Sequence, residues 1–154
     1  MMSHLKIQNF LSLRDVDIEI KPLTVLVGPQ ATGKSLIAKL VYLFNHIPVM
    51  AENAFSDVLQ KKEKVNINTI SEAVEKLFVN IFPAYSWKNQ SFLISFADKD
   101  LQISIKNNGE KLEIAWDGEY IQLIKSYLSF LRKNSETILF LKSKVLDTNE
   151  LKEN

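Results

Sequence analysis

Eight consecutive residues, Gly28-Pro29-Gln30-Ala31-Thr32-Gly33-Lys34-Ser35, match the pattern G-x-x-x-x-G-K-[ST] at every fixed position. Those types at that spacing suit one task, holding a polyphosphate. Two glycines permit a tight curl in which successive backbone N–H groups face inward. Lys34 then sets an ammonium against the β and γ phosphates, and Ser35 offers its hydroxyl to Mg²⁺. A helix beginning directly after the curl, through Leu36, adds its own unpaired N-terminal donors. The expected cofactor-binding residues are therefore Gly28, Pro29, Gln30, Ala31, Thr32, Gly33, Lys34, Ser35 and Leu36, with ATP and Mg²⁺ as ligands and Ser35 as the metal contact. The competing reading is a glycine turn that happens to contain Lys-Ser.

The flanking elements must present this curl between a strand end and a helix start. Lys21 to Val27 reads as a short, nearly all-apolar buried strand, and Leu36 to His46 as a helix with apolar residues on most sides. Upstream, Leu5, Ile7 and Phe10 form one strand pattern. Val16, Ile18 and Ile20 alternate with Asp15, Asp17 and Glu19 in a second, so the two make a hairpin turning at Leu11 to Arg14.

Taken together, Leu5-Lys6-Ile7-Gln8-Asn9-Phe10-Leu11-Ser12, the acidic-alternating second strand, Pro22-Leu23-Thr24-Val25-Leu26-Val27-Gly28-Pro29 and Gly33-Lys34-Ser35 resemble the amino-terminal lobe of the SMC and RecF-like branch of ABC ATPases. That branch includes many AAA-family ATPases of DNA repair and anti-phage defence. The resemblance covers residues 4–46. Members typically follow Asn-Phe with Arg-Ser; here Leu11 occupies the arginine position and Ser12 is retained. The resemblance implies an α/β fold, the amino-terminal part of a P-loop NTPase, binding ATP and Mg²⁺. It also implies a second lobe carrying a signature loop, an acid-terminated apolar strand and a switch histidine. The partners it implies are a complementary C-terminal ATPase lobe or a homodimer partner that sandwiches ATP, with DNA or an effector protein beyond them.

Past the loop helix, closed by Pro48, the period stays helical. A helix is expected from Met50 to Lys62, and Lys61-Lys62-Glu63-Lys64 reads as a solvated turn. Thr69-Ile70-Ser71-Glu72 has capping-box spacing, with Ile70, Val74, Leu77, Phe78 and Ile81 recurring at helical intervals up to Pro83. The period then changes to two. Phe92, Ile94 and Phe96, then Leu101, Ile103 and Ile105, then Leu112, Ile114 and Trp116 predict a three-strand antiparallel meander, with turns at Asp98 to Asp100 and Asn107 to Gly109. Trp87 and Trp116 are read as core rather than as base-stacking platforms. Glu119 to Arg132 returns to helical spacing, Thr137 to Leu146 is ambiguous between helix and strand, and the last residues form a polar end. The expected organisation is a single lobe: hairpin and loop core over 1–47, helical insert over 48–83, meander over 84–118 and a C-terminal helical region over 119–147.

Composition narrows the field. At 154 residues and 46% hydrophobic the chain can build a core, and a formal net charge of +1 gives no bulk affinity for nucleic acid. Without cysteine there is no disulfide, thiol catalysis or cysteine-held zinc, and His4 and His46 have no ligand spacing. No signal peptide or membrane-spanning stretch is evident, so a cytoplasmic location without membrane attachment is expected. With four glycines, two of them in the phosphate loop, no signature loop can be assembled, and Leu112 to Glu119 reads as an ordinary strand end. No Asp-x-x-Gly or Asn-Lys-x-Asp marks a GTPase. Arg14 and Arg132 alone are too few arginines for a small-molecule kinase.

The expected function is thus that of an ATP-binding lobe, incomplete for hydrolysis and with no nameable catalytic residue. The alternative is a self-contained ATP-sensing or interaction module that does not hydrolyse nucleotide. DNA binding by the meander is a third, less supported reading.

Overall fold

The computed structural model describes residues 2–61, 66–109, 111–131 and 133–134. The expected hairpin forms: β1 (Ser3–Phe10) pairs antiparallel with β2 (Leu13–Ile20), and Leu5, Ile7 and Phe10 are buried on one face. The expected meander also forms, as β3 (Phe92–Ala97), β4 (Gln102–Asn107) and β5 (Leu112–Asp117). The two are not separate units. β1 pairs antiparallel with β3, Ile7 opposite Ile94, giving one five-stranded sheet in the order β2-β1-β3-β4-β5.

Helices cover the apolar face of this sheet. α1 (Lys34–Asn45) buries Ile37, Leu40, Leu43 and Phe44, and Phe44 stacks on Phe96 at 4.8 Å. α2 (Ile47–Lys61) follows at once. Pro48 lies in its first turn, where a missing N–H is harmless, and so opens this helix rather than closing the previous one. α3 (Ile67–Ile81) buries Ile70, Val74 and Phe78. Its capping box is real but begins three residues earlier than expected: the Asn66 side chain accepts from the N–H groups of Asn68 and Thr69, and Thr69 Oγ1 accepts from the Asn66 N–H.

A fourth helix, α4 over residues 119–131, buries Ile124, Leu128 and Leu131 against Ala51, Ala54 and Ile70. Trp87 is buried as expected. Trp116 is half-buried and donates from Nε1 to Ser71 Oγ at 2.7 Å. The expectations for Lys62 to Lys64 and for residues 135–154 fall outside the described residues.

One expected element is absent. Residues 24–28 join no strand ladder, and Leu23, Val25 and Val27 are 83%, 73% and 89% exposed. The buried strand read from Lys21 to Val27 is therefore corrected to an open apolar segment. Both sides of β1 are taken, by β2 and β3, and the segment pairs with neither of the two edge strands, β2 and β5.

Candidate nucleotide-binding site

The phosphate loop bridges that open segment and α1. Its curl is built from left-handed residues: φ is 63° at Ala31 and 88° at Gly33, with Thr32 between them on the negative side. Alternation of this kind turns successive N–H groups toward one concavity. Gly33 is needed twice over. Its φ suits glycine, and a Cβ there would run into the Leu13 side chain.

Lys34 ties the loop together. Its Nζ donates to Gly28 O at 2.8 Å, to Pro29 O, and to Thr32 Oγ1 at 3.1 Å, while Thr32 Oγ1 donates to Pro29 O at 2.9 Å. Two carbonyls thus fix the ammonium at the mouth of the curl. The hydroxyl contact is the one that a phosphate oxygen can replace, because a charged acceptor outcompetes a neutral one.

At the start of α1, Leu36 N–H and Ile37 N–H both donate to Gly33 O, at 3.0 and 3.1 Å. The Leu36 amide is therefore committed to the first turn, whereas the N–H groups of Lys34 and Ser35 have no partner among the described residues. No acidic residue stands in that turn to repel an anion.

These features surround a cavity of about 250 Å³ lined by Ala31, Thr32, Gly33, Lys34, Ser35 and Leu36, with Ser12 closing it from the β1–β2 turn. Gly28 and Pro29 act on it through their carbonyls, and Gln30 is exposed and off its wall. The sequence-expected residues are thus brought together, with Ser12 added from the β1–β2 turn upstream. The residues present fit a polyphosphate: one ammonium and, at the start of α1, the unpartnered N–H groups of Lys34 and Ser35. Ser35 is exposed, so its hydroxyl can reach a phosphate-bound Mg²⁺. Among the described residues no three His, Cys, Asp or Glu side chains gather to hold a metal.

The supporting core sits directly beneath. Phe10 lies 4.8 Å from Phe92 and 5.1 Å from Phe82, ring centre to ring centre, and Phe78 meets Trp87 at 5.4 Å. Edge-to-face packing of this kind fixes the end of β1 from which the Ser12 turn departs. No described helix is long and apolar enough to cross a membrane.

The chain is similar to an OLD nuclease from Thermus scotoductus, 40% identical over 43 residues. That alignment spans 28% of this chain and 8% of the nuclease. No solved structure matches. A model of the AAA ATPase domain matches residues 1–153, and with nearly the whole chain covered the protein belongs to the AAA ATPase domain family.

Proposed function

We propose that this chain is the ATP-binding lobe of an SMC/RecF-like ATPase acting in DNA repair or anti-phage defence, and that hydrolysis requires a complementary C-terminal lobe or a homodimer partner. The observation that carries this reading is the open segment ahead of the phosphate loop. A loop that grips a triphosphate is held by the strand before it, and an apolar strand is held by its neighbours. Here the alternating residues Leu23, Val25 and Val27 face solvent and the backbone of 24–28 joins no strand, so a strand edge supplied from outside the described residues has a place waiting. The self-contained ATP-sensing module, our alternative, calls for a closed sheet there. A nuclease among the relatives is in keeping with a DNA-directed role.

In this reading Lys34 and the amides of residues 31–35 hold the phosphates, and Ser35 holds Mg²⁺, which neutralises phosphate charge when bound. The test is calorimetry with Mg·ATP on the wild-type chain and on Lys34→Ala, followed by ATP turnover with and without an added second lobe. Binding lost in the variant, with turnover appearing only on addition, supports the proposal. Equal binding by both proteins overturns the site, and turnover by the chain alone overturns the incompleteness.

A further inference from the structure

Ser12 reaches the cavity on a turn whose backbone enters the left-handed region at two non-glycine residues. Asn9 and Leu11 both take left-handed φ, 55° and 53°, and leucine has no polar side chain to favour that region. Arg14 Nη1 donates to Asn9 Oδ1 at 2.9 Å within the hairpin, and two further contacts hold the turn from outside it. The Leu11 N–H donates to Gln90 Oε1 at 3.0 Å, across 79 positions of sequence, and Asn9 Nδ2 donates to Ser91 O at 2.7 Å. Gln90 is itself fixed, because the buried Asn107 donates from Nδ2 to Gln90 O at 2.7 Å and to Lys88 O at 3.2 Å. A chain of hydrogen bonds thus runs from β4 through Gln90 to the residue immediately before Ser12.

The Ser12 hydroxyl has no protein partner among the described residues and lines the 250 Å³ cavity. Its Oγ would lie 3.7 Å from a Cβ placed on Gly33, close to the start of α1.

We infer that Gln90 is a positioning residue for the nucleotide site, holding the β1–β2 turn so that Ser12 donates a hydrogen bond to a phosphate oxygen of the bound nucleotide. This rests on the nucleotide reading above. Gln90 touches no ligand and acts through Leu11 and Ser12.

The experiment is Mg·ATP calorimetry on the full chain with wild type, Lys34→Ala, Ser12→Ala, Gln90→Leu, Gln90→Glu and the Ser12→Ala/Gln90→Leu double variant. Ser12→Ala and Gln90→Leu should each weaken ATP binding about tenfold or more, the weight of one hydrogen bond to a charged acceptor. Gln90→Glu, which keeps an acceptor for the Leu11 N–H, should restore most of it. In the Ser12→Ala background Gln90→Leu should cause no further loss, because both act on one contact. Wild-type affinity in Ser12→Ala, a surface change that leaves the fold in place, overturns the inference whether or not Gln90→Leu folds. So does an additive double variant. If wild type and Lys34→Ala bind ATP alike, the nucleotide reading fails instead.

Discussion

At the scale of single residues, Lys34 and Gly33 carry unlike burdens. Lys34 organises the loop through carbonyls and keeps one exchangeable contact, so its removal should cost phosphate bonds of roughly 1.5–3 kcal/mol each and raise the ATP dissociation constant about tenfold or more. Calorimetry measures this directly. Gly33→Ala meets both a left-handed φ and the Leu13 side chain, a core residue, so it should destabilise the fold by about 1–3 kcal/mol in denaturant unfolding. Tyr120 gives a pH signature. Burial, then Glu52 and Asp98, raise its phenol above the ordinary value of about 10. Between that value and the raised one the folded state keeps a proton that the unfolded chain loses. Its contribution is therefore full below about pH 10 and is lost as pH rises through the raised value. Unfolding curves of Tyr120→Phe should lack this decline, seen as a difference from wild type.

At the scale of elements, what was legible in the sequence is what periodicity encodes locally. The strands containing Phe92, Ile103 and Ile114 and the helix containing Ile70 and Phe78 each alternate or repeat in a way that needs no knowledge of their neighbours. The phosphate loop was legible because its chemistry restricts residue type at four fixed positions. The β1–β3 pairing was not, since residues more than eighty apart are matched by topology rather than by a local pattern. Gln90 escaped notice for a related reason, since a lone side-chain acceptor for the Leu11 N–H leaves no spacing signature, and Ser12 was singled out only through the resemblance and not as a site residue. The capping box was misplaced because Thr69 has a suitable hydroxyl but serves as the third helical residue, with Asn66 as the cap. Asn66→Ala should therefore cost about 1 kcal/mol in thermal or chemical unfolding, more than Thr69→Ala, whose backbone N–H survives to be capped.

At the scale of the whole molecule, helices cover the apolar face of the sheet while the segment ahead of the phosphate loop stays open. An apolar run announces burial, but burial needs a second surface, and among the described residues none reaches Val25 or Val27. Such a segment can pair with residues of this chain outside those described, with a strand from a complementary lobe, or with another copy. All three are checked at Val27. Since its side chain is 89% exposed, Val27→Lys removes little packing and should leave the chain's stability within about 0.5 kcal/mol of wild type. It should also lower self-association in concentration-dependent light scattering. The amides of 24–28, unpaired here, should exchange with solvent quickly in the isolated chain and become protected when a complementary lobe is added to wild type, but not to Val27→Lys. Slow exchange in the isolated chain, or a large loss of stability in Val27→Lys, would mean that this segment is already packed. The phosphate loop would then need no partner to be held in shape.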